Sequence, residues 1–413
     1  MRHLYFLLVA ILSLLNSSLW SQNQASNWYF GQNAGLNFST NPPTITTNGA
    51  MSTANSCASM SDANGNLLFY TNGITVWDAT HNSMANGTGL AGTFSSYQGC
   101  IILPQPGSSS LYYIFYAYAV CSSVTFTNTI YYSVVDMSLA SGAGSVTTKN
   151  AVLYTGTSSS DNPSGKLAAT RHCNGTDIWL LSKDGMYNSS TSWTPNFRAF
   201  LLTSTGPSTT AVVSAAATYS NNNYCDWWTG MKISPNGKKL GCTNYNYNNN
   251  NLGGCVELYD FDNSTGAVSN SLILTTNTNT WSYGRGCEFS SDATKFYASV
   301  YHWTSSSSTY NTDLYQWDLC AGSPTAIVAS IYTVNSVPGT NSGFGMQLAP
   351  DGKIYMTVNN SQSQVLDVIN SPNSLGSACA FSAQAQSIAP KYAWSSLPNF
   401  MTSYLIQRPP PVP

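Results

Sequence analysis

One tight hairpin recurs along this chain and restricts the folds open to it. It reads "MSDANGNLLFYTNG" from Met60, "LPQPGSSSLYYIFYAY" from Leu103, "TRHCNGTDIWLLS" from Thr170, "ISPNGKKLGCTNY" from Ile233, "FSSDATKFYASVY" from Phe289 and "LAPDGKIYMTVN" from Leu348. A short apolar strand precedes each turn, as in "GMKIS", "RGCEFS" and "GFGMQLA". A strand of period-two alternation follows, as in "ITVWDAT", "CVELYDF", "DLYQWDL" and "QVLDVIN". Self-similarity at several tens of residues marks a repeat architecture, and four strands per repeat is the pattern of a propeller blade. The expected fold is therefore all-β, a β-propeller. Two packed sheets are the competing use of the same strands.

The turns agree. Pro235, Asn236 and Gly237, and again Pro350, Asp351 and Gly352, set in succession a fixed φ, a side chain that bonds its own backbone, and a residue that accepts positive φ. Blade number depends on the ends. "NWYFGQNAGLNFS" from Asn27 looks like two strands without their inner neighbour, and "SLPNFMTSY" from Ser396 looks like an inner strand without its continuation. Joined, they predict seven blades closed by N- and C-terminal strands, with six as the alternative.

Composition narrows the function classes. Charged residues are 7% of the chain, against about 25% in an ordinary soluble protein. With 14 Lys and Arg and a net charge of -2, the chain lacks the basic footprint that phosphate neutralisation requires, which argues against nucleic acid. "MRH" followed by "LYFLLVAILSLL" reads as an export signal over residues 1–21, cleaved after Ser21, and too short to span a bilayer. No other run is apolar enough to cross a membrane. Residues 22–406 then form one propeller domain, 407–413 a Pro-rich tail, and the mature chain is expected to be secreted or at the cell surface.

Taken together, "NWYFGQNAGLNFS", "DANGNLLFYTNGITVWD", "NGTGLAG", "RHCNGTDIW", "VELYDFDNSTGAVSN", "LAPDGKIY" and "SLPNF" resemble the secreted β-propeller modules of gliding-type bacterial surface proteins, and more distantly WD-like and PQQ-like propellers. The resemblance covers nearly the whole mature chain. It implies a surface location, usually upstream of immunoglobulin-like repeats and a gliding-motility-associated C-terminal sorting domain read by the type IX secretion machinery. Here the sequence stops at "IQRPPPVP", which leaves a free-standing or truncated module as the expectation.

Candidate chemistry is sparse. Apart from His3 in the signal segment, the histidines are at positions 81, 172 and 302, and the two glutamates are Glu257 and Glu288. No nucleophile elbow, phosphate loop or zinc-protease helix is written. The enzymatic alternative is a sialidase-like glycoside hydrolase with its site in the central channel, in which Arg171, Arg198 and Arg285 would hold a carboxylate and Glu288, helped by Tyr283, would be the acid or base. The sialidase Ser-x-Asp-x-Gly-x-Thr-Trp box is absent, so a non-catalytic reading leads.

Recognition is better supported. Polar loops carry Tyr224, Trp227 and Trp228, then Trp281 and Tyr283, then Tyr301 and Trp303. Tyr and Trp beside Asn and Ser suit glycans or a protein surface, although the same rings could fill gaps between blades. The leading expectation is a recognition or scaffold propeller binding glycan or a surface protein, with no cofactor. Calcium is a minor expectation at "DFDNSTG", where Asp260, Asp262 and Ser264 stand at alternate positions; an Asx turn explains the same residues.

Ten cysteines in an exported chain permit disulfides. Cys242 and Cys255 flank one polar loop, and a symmetric hairpin would set them opposite as a disulfide pair. Cys320 and Cys379 are a weaker candidate pair. Cys57, Cys100 and Cys287 share a repeat position with Leu167, Met231 and Met346, and so read as small buried hydrophobes.

Overall fold

The computed structural model describes residues 23–93, 96–119, 127–158, 161–185, 194–218, 228–244, 255–275, 281–304, 309–338, 345–358 and 362–405. Among these the fold is all-β and propeller-like. Helix is confined to Pro324–Ala329, capped by the Ser323 hydroxyl, which accepts from the Ala326 N–H, and to short 3-10 turns.

The meanders run outward from the axis. One sheet pairs Met231–Ile233, Lys239–Thr243, Val256–Asp262 and Ala267–Thr275 in sequence order, all antiparallel. The next pairs Trp281–Phe289, Lys295–Thr304, Thr309–Asp318 and Tyr332–Pro338, and the next Met346–Leu348, Ile354–Thr357, Val365–Ile369 and Phe381–Ser387. Earlier in the chain, Pro163–Arg171, Ile178–Asp184 and Asn196–Thr203 are completed by Gly206–Pro207 and Val212–Ala215, both paired to the third strand. Burial follows this order. Every residue of Met231–Ile233 and Met346–Leu348 is buried, whereas Phe381–Ser387 and Tyr332–Pro338 are mostly open to solvent. An apolar inner strand and a polar outer one are what a radial array of small sheets requires.

The predicted turns form as written. Gly237 and Gly352 sit at φ +71° and +79°, and the Ser234 hydroxyl accepts the N–H groups of Lys238 at 3.2 Å and Lys239 at 2.9 Å. Ser290 does the same for Lys295 at 2.8 Å.

Sheets of four or more strands number five among the described residues, which corrects the expected seven blades and the alternative six. Two predicted blades, 58–88 and 100–155, share one eight-stranded sheet because the parallel pair Ser145 and Ala85 joins their outer strands. The N-terminal sheet, Asn27–Phe30, Ala34–Asn37 and Thr44–Thr46, has three strands. Residues 396–401 are not assigned as a strand.

The two ends nevertheless meet. The Asn399 N–H donates to the Cys57 carbonyl at 2.8 Å, and its side-chain amide donates to the carbonyls of Cys100 at 3.3 Å and Leu167 at 2.8 Å. Fully buried Trp28 lies 5.7 Å from Tyr355 and 6.0 Å from Phe400, ring centre to ring centre. The first strand, the last sheet and the C-terminal segment therefore share one core.

The expected Cys242–Cys255 disulfide is also corrected. Cys242 stands opposite Glu257, while the Cys255 carbonyl accepts the Asn244 N–H at 2.9 Å, so the register is offset by two residues. Both are free thiols, as are Cys320 and Cys379. Cys57, Cys100 and Cys287 are buried, on or beside inner strands, and burial raises their thiols above the ordinary range. The expected signal segment 1–21 and the expected tail 407–413 lie outside the described residues.

Candidate functional site

Inner strands of a circular array must be neighbours, and the sequence places complementary groups at one repeat position. Lys232 in "MKI", Glu288 in "CEF" and Gln347 in "MQL" are aligned copies of the same position. In three dimensions the Lys232 ammonium lies 3.3 Å from Glu288 Oε2 and donates to Gln347 Oε1 at 2.6 Å. Glu288 also accepts the N–H groups of Phe289 at 2.9 Å and Leu348 at 3.0 Å. It is 1% exposed. A carboxylate filled on both oxygens and closed off in this way positions strands, and a substrate has no route to it.

Further buried lysines extend this belt. Lys166 donates to the Thr243 carbonyl at 2.8 Å, and Lys183 donates to Asn244 Oδ1 at 2.6 Å with Glu257 at 3.8 Å. The axial cavity is lined by Gln98, Thr229, Lys232, Cys287 and Asn399 among others and holds about 20 Å³. One water needs about 10–15 Å³ on that measure, so the cavity has room for a water and is too small for a sugar ring. Gln98, Lys232 and Asn399 are absent from the sequence-derived site. The signal that could find the Lys232 belt is the repeat alignment itself, read for charge as well as for apolarity.

The three arginines have different surroundings. Arg171 donates to the Gly175 carbonyl at 3.2 Å. Arg198 reaches Asp161 at 2.5 Å and Asp184 at 3.2 Å, with its guanidinium 4.6 Å from the centre of the Tyr154 ring. Arg171 pairs with Ile178 and Arg198 with Ser182 on the same central strand, roughly 13 Å apart at the strand rise of about 3.3 Å per residue. Arg285 belongs to another sheet, 5.7 Å from the ring centres of both Tyr283 and Tyr301. No common carboxylate cradle results.

Two of the aromatic candidates meet. Tyr283 stands opposite Tyr301, their rings stacked at 5.7 Å and 14°, and Trp281 is the backbone partner of Trp303, the side chains of these two lying outside the described residues. The Arg285 carbonyl accepts the Gly230 N–H at 2.9 Å, which ties this ladder to the segment carrying Trp228. Trp228 is 40% exposed, Tyr301 is half-buried and Tyr283 is 6% exposed. The stacking faces on offer are thus Trp228 and Tyr301, and Tyr283 and Arg285 pack against Tyr301. Tyr224 and Trp227 lie outside the described residues.

At "DFDNSTG" the carboxylates are already engaged. Asp260 pairs with Lys239 at 2.5 Å and accepts from Asn270 at 2.7 Å, while Asp262 accepts from the Ser264 N–H at 2.9 Å and the Thr265 hydroxyl at 2.9 Å. Among the described residues no three His, Cys, Asp or Glu side chains are grouped to hold a metal ion.

Fold and site together define a class: a propeller-like all-β protein with buried charged and polar side chains joining its inner strands and a stacked tyrosine pair, Tyr283 and Tyr301, on one of its sheets. No family model matches the chain, and no curated protein matches it. Solved structures with a similar course include an endo-arabinase from Bacteroides thetaiotaomicron, 9% identical over 66% of this chain and 93% of that one, TM-score 0.33. A GH43 endo-arabinanase from Bacillus licheniformis is 10% identical over 63% and 88%, TM-score 0.35. A GH74 enzyme from Niastella koreensis is 10% identical over 92% of this chain and 53% of that chain, TM-score 0.39. Likeness at this depth carries no argument about activity. Among the described residues no helix is long and apolar enough to cross a membrane.

Proposed function

We propose that this chain is an exported recognition propeller that binds glycan at the cell surface through the aromatic patch of Trp228 and Tyr301, without cleaving glycosidic bonds. The observation that carries the reading is the Tyr283–Tyr301 stack with the Arg285 guanidinium beside it, the Arg285 carbonyl being hydrogen-bonded to Gly230 in the segment that exposes Trp228. Exposed rings beside hydroxyls and amides stack on sugar faces at little entropic cost. The enclosure of Glu288 and the size of the axial cavity support binding over hydrolysis. Export and a surface location rest on the N-terminal signal-like segment and on the resemblance to gliding-type surface modules.

Glycan-array binding by the intact chain, repeated with Trp228→Ala and Tyr301→Ala, is the test. Binding weakened by either change, with no reducing sugar released, is the expected result. Release of reducing sugar that disappears in Glu288→Gln would replace this reading with the sialidase-like one.

A further inference from the structure

On the opposite face of the same strands lies a second cluster that the recognition reading leaves unused. Ser282 and His302 are cross-strand partners, and the Ser282 hydroxyl lies 2.8 Å from His302 Nδ1. Asp313, on the third strand, is the partner of Val300, two residues along from His302 and therefore on the same face. Its Oδ2 is 3.3 Å from His302 Nε2. Tyr315 Oη lies 3.2 Å from that same ring nitrogen and donates to Asp313 Oδ2 at 2.8 Å.

These partners fix the tautomer. Because the Tyr315 proton is given to Asp313, both oxygens facing Nε2 are acceptors, and Nε2 must carry the ring proton. Nδ1 is then the acceptor, and the Ser282 hydroxyl donates to it. Burial pushes the Asp313 carboxyl up, but hydrogen bonds from His302, Ser336 and Tyr315 outweigh it and bring the group down to about 2, so it is ionised at neutral pH. A hydroxyl, a base holding a free lone pair toward it, and a carboxylate orienting that base are the parts of an activated nucleophile. The roles of the two ring nitrogens are exchanged relative to the serine-protease arrangement, which the chemistry permits because either nitrogen can accept once the other is protonated.

We infer that Ser282, His302 and Asp313 form a nucleophilic relay that cleaves small carboxylic esters. Ser282 Oγ bonds to the acyl carbon as its proton passes to His302 Nδ1. The bond from the acyl carbon to the ester oxygen then breaks, and that proton leaves with the alcohol. Water attacks the acyl-serine, gives its proton to His302, and releases the acid as Ser282 regains its hydrogen. Ser282 is 3% exposed beside the partly exposed His302, so the substrate class is an ester of a compact acyl group such as acetyl.

The test is labelling of the intact chain with a fluorophosphonate probe, mapped by mass spectrometry, alongside hydrolysis of p-nitrophenyl acetate. The expected result is phosphonylation of Ser282, abolished in Ser282→Ala. Label and hydrolysis should fall roughly a hundredfold in His302→Gln, the loss that follows removal of a general base. Asp313→Asn provides a second variant, with circular dichroism establishing that each is folded. Absence of label on Ser282 in the folded wild-type chain, or label and turnover unchanged in Ser282→Ala, overturns the inference. Glycan binding is a separate measurement, and its outcome leaves this one untouched.

Discussion

Lys232 and Glu288 lie 3.3 Å apart on neighbouring inner strands with both side chains sealed from solvent, and they are joined to the third strand through Gln347 and the Leu348 N–H. Removing two charges from water costs several kcal/mol per ion, so such a pair holds only when its remaining hydrogen bonds are filled. Lys232→Met leaves Glu288 buried without its cation and should cost about 3–5 kcal/mol. The double variant Lys232→Met with Glu288→Met should recover part of that loss. Urea unfolding of the wild type, the single and the double variants measures both.

Gly345 controls closure of the ring. A Cβ there would lie 2.9 Å from the Ser395 carbonyl oxygen and 3.0 Å from the Leu397 nitrogen, both backbone atoms of the C-terminal segment. Gly345→Ala should therefore destabilise by about 1–3 kcal/mol, as overpacking does. Gly175→Ala leaves sterics aside, because nothing lies within 4 Å of that position, and there the cost is that of φ +79° alone. Comparing the two melting curves separates crowding from backbone strain.

Asp184 predicts a pH dependence. Burial raises its carboxyl to about 6 despite the Arg198 guanidinium beside it, whereas an unfolded aspartate titrates near 3.9. The folded state thus holds more protons than the unfolded state between these values, and stability falls as pH rises through the window. Relative to Asp184→Asn, the wild type should lose about 2–3 kcal/mol between pH 4 and pH 7. Parallel denaturation curves at those two pH values check it; a difference that grows in the wild type's favour with rising pH contradicts the assignment.

The cysteine register makes a chemical prediction. Cys242 and Cys255 are both buried free thiols. Alkylation of the purified chain should leave them untouched when folded and modify both in denaturant without reductant. A Cys242–Cys255 cross-linked peptide under non-reducing conditions would be inconsistent with the strand pairing of Cys242 to Glu257.

Strand positions and turns were legible because their cause is local. The Pro-Asn-Gly and Pro-Asp-Gly turns and the apolar stretches before them reappear at their expected places as Met231–Ile233 and Met346–Leu348. Blade number was not legible, because a single parallel pair between Ala85 and Ser145 merges two repeats, and nothing near either residue announces the other. The Cys242–Cys255 expectation failed for a related reason. It assumed a symmetric loop, and strand register is set by which side chains must face the core. Of the aromatic candidates, the sequence supplied the residues, while the Gly230 to Arg285 hydrogen bond that ties the segment of Trp228 to the strand of Tyr283 links segments with no shared local pattern.

The amino-acid order alone determined the all-β character, the hairpin period and the partition of apolar inner from polar outer strands, since these follow from side-chain alternation and turn stereochemistry within a few residues. Tertiary structure alone decided which inner strands share the Lys232–Glu288–Gln347 contacts and which hydroxyl meets His302. Those choices depend on distances between segments remote in the chain, and only the closed packing of the sheets fixes such distances.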